Sequence, residues 1–292
     1  MSAGLRRLTA VAGDGARLAC WDLGPLQGTS AGAVPVLMVH GIGLHGRCWV
    51  PVAEHLRPGL GPWSADLRGH GASEPSPDGG YEWDRFGSDL LALVDQIGLG
   101  NSPGGLIGAG HSAGATALLL AEAQRPGTFS RLWLWEPIVA VPGSDLGSQR
   151  SPEFAARARR RRWHFASAAQ ARAHLEGRGL FADFSAEAFD AFVTGGVVPD
   201  DDGGTRLACA PEDEARAYAA AATARTWQLL GPLPAEVRLR HGGNSSAEVA
   251  AELAVLADRL RAPAPLIVPD LGHFGPFQSP ALIAADISNW SA

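Results

Sequence analysis

Apolar residues fall into short continuous runs separated by stretches with helical spacing, and that alternation predicts a mostly parallel sheet covered by helices on both faces. Segments 5–11 and 16–23 flank Gly13-Asp14-Gly15, a turn signal that makes them an antiparallel opening pair, and a Gly/Ser/Ala linker follows. Val34-Pro35-Val36-Leu37-Met38-Val39 is the first fully apolar run. A helix carrying Trp49, Val52 and Leu56, a strand through Trp63 to Asp66, and a helix over 82–97 built on Phe86, Leu90, Leu93, Val94 and Ile97 come next. Gly105 to Ala109 leads into an alanine/leucine-rich helix that Pro126-Gly127 ends, and Arg131 to Pro137 reads as a further buried strand.

There the alternation stops. Residues 141–232 read as mostly helical, Ala/Arg-rich and without a convincing buried strand, with an acidic turn at Asp200-Asp201-Asp202-Gly203-Gly204. It resumes with a strand at Val237–His241, a helix over 247–261, a strand at Pro265–Val268 and a closing helix from Pro280. The pattern therefore predicts a core from 1–140 and 233–292 interrupted by a helical cap over 141–232.

Composition narrows the function. A chain of 292 residues with 46% hydrophobic residues can bury a sizeable core. The net charge of -6 gives no electrostatic reason to expect nucleic acid or an anionic membrane as partner. All 24 basic residues are arginine, so no lysine is present to form a Schiff base. Cys20, Cys48 and Cys209 are too few and too scattered for a disulfide framework or a zinc site. Arg6 and Arg7 are followed by no apolar segment of signal-peptide type, which leads to the expectation of a cytoplasmic protein.

The chemistry gathers at Gly110-His111-Ser112-Ala113-Gly114, a G-x-S-x-G pentapeptide between a strand and a helix. Small residues there let a strained serine project above the sheet, so Ser112 is the expected nucleophile. An alcohol needs a base with a pKa near 7, and His273, on a loop after the last strand, is the best placed of nine histidines. The oxyanion that forms on attack needs fixed N–H donors. Ala113, at the helix N-terminus, and Ile42, freed to turn inward by Gly41 and Gly43, are the expected ones.

Four motifs in this order resemble the α/β-hydrolase superfamily over nearly the whole chain: His40-Gly41-Ile42-Gly43, Asp66-Leu67-Arg68-Gly69-His70-Gly71, the pentapeptide itself, and Gly272-His273-Phe274. The resemblance implies an eight-stranded core, supporting roles for His40 and His111, and a bracing role for Arg68 and His70. It also implies an aspartate after the strand that follows the cap. This sequence departs there, reading His241-Gly242-Gly243-Asn244-Ser245-Ser246 with no carboxylate before Glu248. Asn244 could orient an imidazole without stabilising its charged form. Glu136, at the end of the strand after the nucleophile unit, is the expected acid, an arrangement that some members of the superfamily resemble; Asp270 and Glu248 are the alternatives.

These residues lead to the expectation of a serine hydrolase that cleaves a hydrophobic carboxylic ester or lactone through an acyl-enzyme, with no cofactor or metal. A C–C bond hydrolase, a thioesterase or a cofactor-free lyase on the same triad are the alternatives, and a non-catalytic ligand receptor is a further class. Trp163, Phe181, Phe184, Phe189 and Trp227 are expected to line a pocket under the cap or to glue the cap to the core. The arginine run 157–162 reads as a solvated helix face.

Overall fold

The computed structural model describes residues 5–24, 32–144, 146–223 and 225–290, and for 146–150 and 222–223 the backbone only. The linker expected near residue 25 lies outside the described residues. The opening strands are β1 (Arg6–Val11) and β2 (Arg17–Asp22), followed by β3 (Val34–Val39), a short helix α1 (Val50–Glu54), β4 (Leu60–Ala65) and α2 (Trp83–Ile97). Next come β5 (Ile107–His111), α3 (Ala113–Gln124) and β6 (Arg131–Trp135).

Between β6 and the next strand of the main sheet stand α4 (Leu146–Arg159), β7 (His164–Phe165), α5 (Ala168–Leu175), α6 (Ala186–Gly196), β8 (Val197–Pro199), β9 (Thr205–Leu207), α7 (Pro211–Thr223) and α8 (Thr226–Leu229). The chain closes with β10 (Glu236–Gly242), α9 (Ala247–Leu260), β11 (Leu266–Val268), α10 (Gly275–Gln278) and α11 (Pro280–Trp290).

The main sheet has eight strands in the order β1-β2-β4-β3-β5-β6-β10-β11. Only the β1–β2 and β2–β4 pairings are antiparallel; all others are parallel. Central strands β4 and β5 are buried at every position, as expected of strands covered on both faces. One apolar core, with Phe86, Leu90, Leu118 and Leu134, fills the side of α2 and α3; the other, with Trp49, Trp133, Trp135 and Phe277, fills the side of α1 and α11.

The insert is mostly helical, as the sequence suggests, but not free of strands. It contains a three-stranded sheet, β7-β9-β8, on which Phe165 and Leu207 are buried. Strands of two or three residues are too short to show an alternating pattern, so only their turn is visible in the sequence. Gly203 and Gly204 both have positive φ in that hairpin, and the Asp200 amide donates to the Gly204 carbonyl. A side chain at Gly204 would lie 2.5 Å from the Phe165 carbonyl oxygen. Helices α4 and α7 pack through Ala155, Ala158 and Ala215, while Phe165, Phe181, Phe189 and Phe192 join the second core of the main domain.

Candidate active site

Strand β5 runs into α3 with one residue between, Ser112, at φ 55° and ψ −123°. Such a conformation costs a residue with a side chain about 1–3 kcal/mol and persists only where its surroundings enforce it. Here the Ser112 amide donates to the Trp135 carbonyl at 2.8 Å, and its carbonyl accepts from the Thr116 amide at 3.1 Å. The flanking glycines permit the crossing: a Cβ at Gly110 would lie 2.5 Å from the Ala115 Cα, and one at Gly114 only 2.3 Å from the Val39 carbonyl oxygen.

His273 stands on the loop between β11 and α10. Its carbonyl accepts from the His111 ring at 2.9 Å and from the Trp135 indole at 3.0 Å, which fixes the backbone that carries the imidazole. Its Nε2 lies 3.2 Å from Ser112 Oγ and its Nδ1 2.7 Å from Glu136 Oε2. The structure thus brings together the three residues expected to act as one unit.

Glu136 follows β6 with φ 45°, and its amide donates to the Arg240 carbonyl at 3.0 Å. The residue is only 1% exposed. Its Oε1 accepts from the Gly242 amide at 2.9 Å and from Ser245 Oγ at 2.5 Å. Burial pushes a carboxyl pKa up, but the His273 ring, the Ser245 hydroxyl and the Gly242 amide together outweigh it and hold Glu136 below its ordinary value.

The two alternative carboxylates stand elsewhere. Asp270 and Glu248 are both exposed, Glu248 in the first turn of α9. The Asn244 amide side chain donates to the Asp270 carbonyl at 3.1 Å. Ser245 is the residue that sequence reasoning missed. The loop after β10 holds no carboxylate of its own near the imidazole; it supplies a hydroxyl and an amide to a carboxylate from the neighbouring strand, and the serine following Asn244 is the available signal.

Ile42 and Ser112 line one cavity, and a Cβ at Gly41 would lie 3.1 Å from the Ser112 Cβ. The Ile42 and Ala113 amides donate to no protein acceptor among the described residues. His40 ties the turn down, with Nδ1 on the Gly41 carbonyl at 2.8 Å and Nε2 accepting from the Leu67 amide at 3.0 Å. Burial holds the His40 and His111 rings well below the ordinary histidine pKa, so both are neutral supports. Arg68 is buried and bidentate to Asp89, and His70 bonds the Arg68 carbonyl, so neither reaches the cavity.

The cavity over Ser112 has a volume of about 860 Å³. Of the five aromatic residues expected around it, only Phe181 is part of its wall. Phe184 stacks on Phe277 and Phe189 packs against Phe181 under the Arg172 guanidinium. Trp163 donates to the Leu207 carbonyl at 2.7 Å, and Trp227 packs on the first core beneath Arg259. These four fasten the insert, because a large ring gains most where it is enclosed on both faces.

The arginine run is solvated as expected, with Arg157, Arg159, Arg160 and Arg162 exposed, but its surface also borders the cavity. Arg157, Arg160, Arg161 and Arg162 face the cavity, together with Arg178, and only Arg159 turns away to pair with Glu212. Arg161 pairs at 2.8 Å with Glu214, whose carboxylate fills the space beside Gly43 in the turn that carries Ile42. Burial raises the Glu214 pKa, against the pull of the Arg161 and Arg157 charges. Helical periodicity marks a charged face without saying what that face opens onto.

A strained serine on a strand–helix turn, a histidine and a buried carboxylate meet the description of one large family, and the model of the alpha/beta hydrolase family matches residues 36–286. The chain belongs to the alpha/beta hydrolase family. Lipase LipV of Mycobacterium tuberculosis is 36% identical over 114 residues, 39% of this chain and 41% of that protein. N-formylmaleamate deformylase of Pseudomonas putida is 34% identical over 108 residues, 37% of this chain and 39% of that protein. The chain spans about two fifths of the length of each of these two relatives. Among solved structures, E-2-(acetamidomethylene)succinate hydrolase superposes with a TM-score of 0.78 at 22% identity, covering 98% of both chains. That likeness establishes the eight-stranded alpha/beta hydrolase fold. Among the described residues, no group of three or more His, Cys, Asp and Glu side chains could hold a metal ion. No described helix is long and apolar enough to cross a membrane.

Proposed function

We propose that this alpha/beta hydrolase cleaves carboxylic esters or lactones through an acyl-enzyme on Ser112. The observation that carries the reading is the continuous relay from Ser112 Oγ through both nitrogens of His273 to Glu136. In it, Oγ attacks the carbonyl carbon while Nε2 takes its proton, and the oxyanion rests on the Ile42 and Ala113 amides. Collapse expels the alcohol, which leaves with the proton from Nε2. Water then adds to the acyl carbon, gives a proton to Nε2, and the acid departs as the proton returns to Oγ. Glu136 holds the imidazole in the productive tautomer and stabilises its cationic form throughout.

The insert acts as a cap over residues 141–232 on a core of 1–140 and 233–292. Support comes from Phe181 and Leu180 of the insert, which line the same cavity as Ser112, with Ile138 before the insert and Val249 and Leu253 of α9. Such walls suit an apolar acyl or alcohol group, and the lipase among the relatives supports an ester. Turnover of p-nitrophenyl esters and aromatic lactones by wild type and by Ser112→Ala tests the reading. Wild-type hydrolysis that Ser112→Ala abolishes supports it; equal rates in both proteins contradict it.

A further inference from the structure

Arginine side chains of the insert give the cavity a charge opposite to that of the molecule. The whole chain carries a net charge of -6, yet five arginines line the space above Ser112. Two of them are committed: Arg161 to Glu214, and Arg162 to Gln170 and the His164 carbonyl. Arg157, Arg160 and Arg178 make no side-chain hydrogen bond or ion pair among the described residues. Of the glutamates in the wall, Glu136 is hydrogen-bonded to His273 and Glu214 to Arg161, with the Arg157 charge acting on Glu214 from further away.

Arg157 reaches the backbone beside Arg178, and both line the cavity. A guanidinium nitrogen of Arg157 stands 3.3 Å from the position a Cβ would take at Gly179, the residue next to Arg178. Arg157, Arg160 and Arg178 are all exposed, so what they offer an anion is attraction that solvent and salt partly screen. Planar guanidinium groups match a carboxylate in bidentate geometry.

Resting on the acyl-transfer reading above, we propose that Arg157 and Arg178, with Arg160 beside them, form a carboxylate subsite, so that the substrate is an ester or lactone bearing a remote carboxylate. An apolar stretch of the substrate then lies along Leu180 and Phe181 between the subsite and Ser112. The carboxylate fixes the distance from the anchor to the scissile carbonyl, which converts a roomy cavity into an oriented site.

Calorimetric titration of Ser112→Ala protein with the linear dicarboxylates from malonate to suberate tests the subsite without needing turnover. One chain length should bind best at low salt and at least about ten-fold tighter than the monocarboxylate of equal length. The double variant Arg157→Gln/Arg178→Gln in the same background should lose about ten-fold or more of that affinity. Raising the salt to about 0.5 M, where the Debye length falls to roughly 4 Å, should weaken binding to a similar degree. Arg159→Gln, whose side chain faces Glu212 outside the cavity, should bind as the parent does. Equal affinity for mono- and dicarboxylates, unchanged binding by the double variant, or inorganic phosphate binding as tightly as the best dicarboxylate overturns the proposal. Failure of catalysis alone leaves these titrations readable, so the two readings fail separately.

Discussion

Ser112 and Glu136 are two of the four non-glycine residues with positive φ among the described residues, and His273 joins them. Strain at both ends of a hydrogen-bonded relay is what a preorganised site requires, because neither side chain has to move as charge develops. Glu136→Gln keeps the shape and removes the charge that balances the imidazolium. An amide in this role costs a serine protease about four decades of kcat, and a fall of that order is expected here, read from steady-state kinetics on the best p-nitrophenyl ester. Ser245→Ala removes one hydrogen bond to the carboxylate, and a loss of about ten-fold in kcat, with KM little changed, is expected. Because the folded-state pKa of Glu136 lies below its ordinary 4.5, its contribution to stability is complete above that value and is lost as pH falls through the folded value. The Tm advantage of wild type over Glu136→Gln should therefore shrink as pH falls through that range. A constant difference through the acid limb would contradict the assignment of Glu136 as an ionised partner.

At the scale of elements, the strand–helix crossing at Ser112 depends on backbone meeting backbone. Gly114→Ala places a methyl group 2.3 Å from the Val39 carbonyl oxygen and 2.5 Å from that of His40, and neither can step aside without moving β3. A loss of about 3 kcal/mol or failure to fold is expected from urea unfolding. Legibility follows the same physics. Long apolar runs such as Val34–Val39 and the periodic helix Trp83–Ile97 declare themselves in the sequence, since burial on two faces or on one leaves a distinct spacing. Glu136 is legible because a strand end at the sheet edge fixes where the next side chain stands. Ser245 is not, since a loop hydroxyl carries no periodic signal, and β7, β8 and β9 are too short to carry one. Nor does the run from Arg157 to Arg162 disclose that all of its arginines but Arg159 border the cavity, because that depends on how the insert packs in three dimensions.

For the whole molecule, the insert rests on the core through Phe165, Phe181, Phe189 and Phe192, so binding and stability can be separated by choice of ring. Phe189→Ala leaves a void among these rings, away from the cavity wall, and is expected to cost about 3–5 kcal/mol with KM for bulky esters little changed. Phe181→Ala alters the wall itself, and its KM for bulky aryl esters should rise several-fold over that for acetyl esters. Everything proposed for catalysis rests on Ser112 being a nucleophile activated by His273 and Glu136. Labelling with a fluorophosphonate, followed by peptide mapping in a mass spectrometer, tests this most directly. One adduct on Ser112 in wild type, none on that peptide in Ser112→Ala and strongly slowed labelling in His273→Ala is the predicted result; an unlabelled wild type, or an adduct mapped to another residue, contradicts it.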